Sequence, residues 1–266
     1  MPSASEMTFW DHLEVLRRVF LRILAVAVTA AIVTFIFKDF LFTIVLAPGK
    51  SDFVTYRAIE KAAGLLGCDV SGLTDFNVSM FSAQLTAQFM IHLKMAFSFG
   101  ILVTFPYIIY QLYSFVAPAL RSTERRYTVA VLTWSYVLFM AGVLLDYFLI
   151  FPLAFRFLGT YQVSPDVPNM ITLTSYGDML LTLTLMMGVL FELPILSWFL
   201  ARLGLINEAF MRKYRRHAVV VIFAFAAIVT PTTDVFTLMV VALPVYGLYE
   251  VSIGIVRRAT RHANDN

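Results

Sequence analysis

Apolar residues along this chain form long runs separated by short polar segments, a pattern typical of membrane-spanning helices. Crossing the hydrocarbon core of a bilayer takes about 20 residues of helix. The fifth run is shorter, roughly 14 residues, and reaches only about 21 Å of the roughly 30 Å required. We predict an all-α polytopic protein with six spans, the last two short, near residues 19–37, 87–115, 128–151, 176–200, 218–230 and 235–256.

The distribution of basic residues predicts the orientation in the membrane. An even number of spans places both termini on one side. Fourteen Lys and Arg residues fall on that side and five on the other, with Lys94 inside a span. Because cytoplasmic loops are enriched in Lys and Arg, both termini are predicted to be cytoplasmic.

Composition agrees with a membrane protein. The 266 residues are 60% hydrophobic with a mean hydropathy of +0.80, so we predict a single integral membrane domain over residues 1–266 without a soluble domain. The first apolar run is too long for a signal-peptide core and is expected to be retained. The net charge of +3 is explained by orientation in the bilayer, and no nucleic-acid partner is expected.

Sequence motifs of catalysis, cofactor binding and metal binding are not found. Cys68 is the one cysteine, so an internal disulfide is excluded, and the four histidines lack metal-ligand spacing. The sequence has no GxSxG elbow, Walker loop or HExxH motif. We therefore expect no enzymatic activity, no metal and no cofactor.

Three polar segments are predicted to form the principal loops. The first outer loop covers residues 47–84 and contains FVTYRAIEKAAGLLG, whose apolar residues fall at helical spacing and predict a surface helix. The two cytoplasmic loops cover residues 116–127 and 201–217.

An acidic residue inside the fourth run is a candidate functional group. Glu192 stands in TLMMGVLFELP, where a charged carboxylate costs about 2.5–3.5 kcal/mol on insertion scales. It could be a protonated acid bonded to a neighbouring helix. Alternatively, it could serve a partner helix, a water-filled cavity or a proton step. Lys94 invites pairing with Glu192, and that pairing stays open.

The loop QLYSFVAPALRSTERRY, residues 111–127, holds a second candidate. Pro118 ends the second span, and Glu124 could simply favour the start of the third helix through the helix dipole. It could instead receive a cation. Glu14 in FWDHLEVLRR has the spacing for a helix-surface ion pair with Arg17, and two carboxylates on a basic face could bind guanidinium groups.

Three further polar residues have ordinary interpretations. Asp146 is predicted to lie at a solvated edge of the third span, with Tyr147 in an interfacial aromatic belt. Asp234 in PTTD is predicted to be a turn residue or helix cap.

Several of these segments together resemble the TatC family, the polytopic subunit of the twin-arginine translocase, over nearly the whole chain. HLEVLRR is similar to the family's amino-terminal motif, and FPYIIYQLYSFVAPALRSTERR is close to its long cytoplasmic loop signature. The segments DYFLIFPLAFRF, GVLFELP, TPTTDVF and LPVYGLYE follow in the family's order.

The resemblance implies a receptor for signal peptides that carry paired arginines. Glu124 falls on the family glutamate that contacts those arginines. The other implied signal-peptide positions are Glu14, Arg17, Phe115, Pro118, Leu120 and Arg125. Implied intramembrane or partner-helix positions are Glu192, Thr230 and Lys94, and further family positions are Pro48, Tyr147, Pro152, Asp234 and Glu250.

Two positions depart from the family pattern. The second arginine-binding glutamate of the family corresponds to Val15, and Glu14 lies one residue earlier, about 100° around a helix. The family glutamine of the last span corresponds to Leu238, which leaves Thr230 as the remaining member of a polar patch proposed to hold partner helices.

The expected function is therefore that of a translocase receptor subunit in the bacterial cytoplasmic (inner) membrane. It would act in an oligomeric complex with TatA-type and TatB-type single-span partners and export folded proteins with the proton-motive force. Two other functions are weighed: a proton- or ion-coupled small-solute transporter that uses Lys94 and Glu192, and a scaffold without a ligand of its own.

Overall fold

The computed structural model describes residues 9–65, 79–116, 128–164, 166, 169–230 and 234–264, and most of them are helical. A helix satisfies its backbone hydrogen bonds internally, which an apolar surrounding requires. The helices are α1 (Phe9–Ile36), α2 (Lys38–Leu46), α3 (Val54–Leu65), α4 (Ala87–Val116), α5 (Thr128–Leu145), α6 (Phe151–Thr160), α7 (Leu173–Leu190), α8 (Leu193–Arg202), α9 (Glu208–Lys213), α10 (Arg215–Val229) and α11 (Val235–Asn264).

Five helical segments of the described residues are long and apolar enough to cross a membrane, which confirms a multi-pass protein. The sixth predicted span corresponds to α10. Its 15 residues cover only about 22 Å, so a sixth crossing stays a prediction. The five segments are Leu13–Ile36, Ala87–Phe115, Val129–Thr160, Leu173–Arg202 and Val235–Thr260.

The last helix is longer than predicted. We expected the last two spans to be short, but α11 has 30 residues and that expectation is wrong for it. The helix continues through Arg257 and Arg258, because charged residues with good helix propensity extend it beyond the apolar run. Asp234 caps its start, as predicted: the carboxylate Oδ1 accepts a hydrogen bond from the Thr237 backbone N–H at 2.7 Å.

Helices α1 and α4 form an antiparallel pair. Near one end the rings of Phe35 and Phe89 lie 6.3 Å apart. Further along, Gly100 packs directly on α1, and a Cβ at this position would lie 2.7 Å from the Ala31 backbone nitrogen. The absence of a side chain at Gly100 therefore permits the close approach of the two backbones.

The third predicted span runs beyond its predicted end at residue 151 and contains a π-helical turn, Asp146–Ile150, between α5 and α6. Pro152 has no N–H, so it cannot bond the carbonyl of Phe148 in an α-helical pattern. The Thr55 hydroxyl donates a hydrogen bond to that carbonyl instead. The surface-helix segment thus stabilises the irregular part of a span.

The fourth predicted span is interrupted. Helix α7 ends at Leu190 and α8 begins at Leu193, with Pro194 in the first turn of α8. Proline is favoured there because the first helical N–H groups have no partner within the helix. The interruption places Glu192 at the junction of the two helices.

The predicted surface helix of the first outer loop is confirmed as α3. Its Tyr56 is fully buried, and the hydroxyl donates to the carbonyls of Pro48 at 3.1 Å and Pro152 at 2.9 Å. Burial raises the pKa of Tyr56, so the neutral donor is the relevant form. A short parallel pairing of Met80–Phe81 with Ile171–Thr172 joins the same side of the molecule.

The largest buried cluster lies where α2, α4, the π-helical turn and α7 meet. Leu41, Ile91, Ile150, Tyr176 and Leu183 are almost completely buried in it. The Tyr176 hydroxyl donates to the carbonyl of Val45 at 2.7 Å, so the cluster is also held by a polar contact.

Candidate functional site

The amino-terminal end of α1 exposes a carboxylate. Glu14 Oε1 accepts a hydrogen bond from Arg18 Nη2 at 2.5 Å, and both side chains are more than half exposed. The prediction that Glu14 pairs with Arg17 is wrong, because Glu14 pairs with Arg18, four residues later, rather than with Arg17, three residues later. Arg17 is exposed on the same helix. An exposed pair of this kind contributes about 0.5 kcal/mol or less, so Glu14 can exchange partners at little cost.

Phe115 lies near the depth of Glu14. Gly100 packs against Ala31, and α1 and α4 are antiparallel with the same rise per residue. From Gly100, α4 continues for about four turns to Phe115 in its last turn, and from Ala31 the same distance back along α1 reaches its first turns. Phe115 therefore lies beside the first turns of α1.

The predicted signal-peptide residues that follow α4 are outside the described residues. They are Pro118, Leu120, Glu124 and Arg125. The chain leaves α4 at Val116 and enters α5 at Thr128, so this loop begins at the end of α4 that Glu14 adjoins.

Glu192 is partly buried between helices. Its Oε2 accepts a hydrogen bond from the Ser135 hydroxyl of α5 at 2.7 Å. Its Oε1 is buried without a hydrogen-bond partner among the described residues. The bond to a neighbouring helix fits the interpretation of Glu192 as a structural contact.

Lys94 pairs with a residue that the sequence analysis did not consider. Its Nζ lies 2.6 Å from Asp178 Oδ1, and both side chains are about half exposed. Asp178 lies about one and a half turns into α7 and Lys94 about two turns into α4. Their similar distances from the helix starts are the signal that could have revealed the pair. The solute-transporter alternative relied on a Lys94 and Glu192 site, which this pairing does not support.

Asp146 is not at a solvated edge, as we predicted, but completely buried. The Thr184 hydroxyl of α7 donates to its Oδ2 at 2.6 Å, and Oδ1 has no hydrogen-bond partner among the described residues. The third span continues to Thr160, so Asp146 lies well inside it rather than at its edge, and the side chain faces α7. Tyr147 is partly buried, and its hydroxyl donates to the Ile44 carbonyl at 2.8 Å.

Buried hydroxyl groups lie at the end of α10 and at the start of α11. Thr230 is 4% exposed and donates to the Ala226 carbonyl at 2.9 Å, within its own helix. Thr237, which the sequence analysis missed, is completely buried, and its Oγ1 has no partner among the described residues. Leu238 is partly buried against the main cluster. The polar group closest to the altered family position is therefore Thr237.

Glu250 connects α11 to α10. Its Oε2 accepts a hydrogen bond from Arg215 Nη2 at 2.6 Å, and the neighbouring Tyr249 hydroxyl donates to the Met211 carbonyl at 2.8 Å. Like Pro48, Pro152 and Asp234, Glu250 has a local contact that accounts for it structurally.

Comparisons with known proteins agree on one family. The model of the family described as Sec-independent protein translocase protein (TatC) matches residues 11–244. The TatC protein of Blattabacterium sp. subsp. Periplaneta americana (strain BPLAN) is 33% identical over 252 residues, covering 94% of each chain. The TatCy protein of Bacillus subtilis (strain 168) is 33% identical over 259 residues, covering 97% of this chain and 92% of its own.

A solved structure supports the same assignment at the level of the fold. The crystal structure of the twin-arginine translocase receptor TatC superposes with a TM-score of 0.74 at 28% identity. The match covers 94% of this chain and 99% of that chain, so the resemblance includes the whole bundle rather than one helical hairpin.

Proposed function

This chain belongs to the TatC family of Sec-independent protein translocase proteins, and on that premise we propose that it is a receptor for signal peptides carrying paired arginines. Glu124 binds one arginine and Glu14 assists. The observation that carries the proposal is the loop sequence of residues 111–126, which contains Glu124 and joins the end of α4 beside Glu14.

The local chemistry at Glu14 favours guanidinium binding. Glu14 is exposed and already accepts a hydrogen bond from the guanidinium of Arg18. Its carboxylate can therefore bind this chemical group. An incoming arginine would replace Arg18, and the exchange conserves charge. Because a guanidinium donates from a planar fork, two carboxylates can distinguish arginine from lysine by geometry as well as charge.

The proposed complex extends beyond the signal-peptide site. TatA-type and TatB-type single-span subunits would pack on the membrane-embedded surface of an oligomeric complex, with Glu192 Oε1 and Thr230 as polar positions toward partner helices. In the bacterial cytoplasmic membrane, with both termini inside, this complex would export folded proteins with the proton-motive force.

Export of a twin-arginine precursor tests the proposal. Glu124→Ala should abolish export while membrane insertion continues, because the main acceptor for arginine is removed. Glu14→Ala should lower export about tenfold, the size expected for loss of one hydrogen bond to a charged group. The readout is mature precursor on the far side of the membrane.

A matched control is Glu60→Ala in α3, which removes a carboxylate from the predicted outer side. It should export as the parent does. Unchanged export by Glu124→Ala, at equal protein levels, would refute the receptor assignment for Glu124.

A further inference from the structure

A polar cleft lies at the end of α1 that is opposite to Glu14. It has a volume of about 470 Å³ between α2 and the start of α4. Lys38, Asp39, Gln88 and His92 supply its polar groups, and Phe42 and Phe89 form apolar walls. The first span ends at Ile36, so the cleft is at the level where hydrocarbon meets the headgroup region.

His92 is an unusual wall for such a cleft. The side chain is only 8% exposed, and its ring stacks on Phe35 with 4.0 Å between the centroids. Nε2 is buried and has no hydrogen-bond partner among the described residues. Leaving a buried polar nitrogen without a partner is costly, so a rotation of the ring that brings Nε2 to a polar atom of a ligand in the cleft would be favourable.

The two charges of the cleft have opposite signs and have no ion-pair partner among the described residues. Lys38 and Asp39 are exposed, and neither takes part in an ion pair within the described ranges. They are adjacent in sequence at the first turn of α2. The cleft therefore offers one cation and one anion side by side, which matches a zwitterionic group better than an anion alone.

An apolar groove begins where the cleft ends. It lies between α1 and α4, has a volume of about 580 Å³ and is lined by Val28, Ile32, Phe35, Leu93 and Phe97 among others. Phe35 is shared: it lines the groove and stacks on His92, which lines the cleft. Lys94 also lines the groove, but its ammonium is bonded to Asp178.

We propose that cleft and groove together bind one phospholipid with a phosphate and a primary ammonium in its headgroup, such as phosphatidylethanolamine. The phosphate binds Lys38, and the ammonium donates to Asp39 and the Gln88 side-chain oxygen. A rotation of the His92 ring brings its Nε2, which is closed to the cleft in this structure, to a headgroup atom. One acyl chain lies along the groove beside Phe35. Phosphatidylglycerol has no cation for Asp39, and a quaternary choline cannot donate a hydrogen bond.

Native mass spectrometry of the purified full chain in detergent tests this site. The protein is titrated separately with phosphatidylethanolamine, phosphatidylglycerol and phosphatidylcholine of identical acyl chains. We expect one saturable phosphatidylethanolamine adduct and at least about tenfold weaker binding of the other two. Lys38→Gln should weaken all three lipids. Asp39→Asn should selectively reduce the preference for phosphatidylethanolamine over phosphatidylglycerol.

The control is the double variant Asp52→Asn with Arg57→Gln, which removes one anion and one cation from an exposed pair on the same side of the molecule. It should bind lipid as the parent does. Equal retention of the three lipids, or unchanged binding in both cleft variants, would overturn the proposal. If the groove instead holds a partner helix or a second copy of the chain, no saturable adduct selective for one headgroup would form, and the three lipids would be retained equally. The result does not depend on signal-peptide binding.

Discussion

Three carboxylates within the spans each accept a hydrogen bond from a residue of another helix. Glu192 is bonded by Ser135, Asp146 by Thr184 and Asp178 by Lys94. In an apolar surrounding an acid without a donor is costly, so these contacts decide which helices can lie side by side. The pairs connect α5 to the α7–α8 junction, the π-helical turn to α7, and α4 to α7.

The pair of Lys94 and Asp178 allows a direct energetic test. Lys94→Met should lower the free energy of unfolding by about 1 kcal/mol, or roughly 2–4 °C in melting temperature, because Asp178 loses its cation. Adding Asp178→Leu to that variant should recover most of the loss, since no unpaired charge remains. Thermal unfolding in lipid nanodiscs measures both changes. If the double variant were as unstable as the sum of the single variants, the pair would have no energetic coupling.

Individual residues were predictable when their role is local. The cap at Asp234 follows from its position before an apolar run. The burial of Asp146 was not predicted, because the third span was expected to end at residue 151 and the contact with Thr184 of α7 depends on helix packing, which an apolar pattern does not show. The partner of Lys94 was missed although its position in the helix favoured Asp178, because Asp178 and Lys94 lie at similar distances from their helix starts, whereas Glu192 lies beyond the end of α7.

At the scale of elements, the packing of α5 on α7 depends on backbone proximity. A Cβ on Gly142 would lie 2.5 Å from the carbonyl oxygen of Met187, a backbone atom that cannot move aside. Gly188 of α7 is similarly close to the ring of Phe139. The two helices therefore meet through small residues, as membrane helices commonly do.

Gly142→Ala should separate these helices and destabilise the protein by about 1–3 kcal/mol, the usual cost of overpacking. The matched control is Gly247→Ala in α11, where no described heavy atom outside the adjoining helix backbone and chain neighbours lies within 4 Å of the added methyl group. That change should leave the melting temperature unchanged or raise it slightly, because alanine has the better helix propensity. Equal effects of the two substitutions on thermal unfolding would contradict close packing at Gly142.

The apolar pattern predicted most helices but not their interruptions. Each predicted span corresponds to a helix in the structure, and the surface helix α3 was anticipated from its spacing. The break after Leu190 was foreseeable from Pro194, whereas the length of α11 was not, because charged residues continue it beyond the bilayer pattern. Apolar runs show which residues lie in the membrane, but they do not determine where a helix ends, because helix ends also depend on backbone hydrogen bonding.

For the whole molecule, the two proposed sites lie at opposite ends of the α1–α4 pair. Glu14 and Phe115 are at one end, and the cleft at Lys38 is at the other. A signal peptide and a bound lipid would therefore not compete for the same surface. The α1–α4 pair, held by the contact at Gly100, would connect the two sites.

The receptor assignment is tested most directly by crosslinking from a photoreactive residue at Leu120, in membranes supplied with a twin-arginine precursor or its twin-lysine variant. We predict abundant adducts between this position and the signal peptide of the first precursor and few with the second, because lysine lacks the planar fork of donors. Equal adducts with both precursors, or none with either, would contradict recognition of paired arginines by this loop.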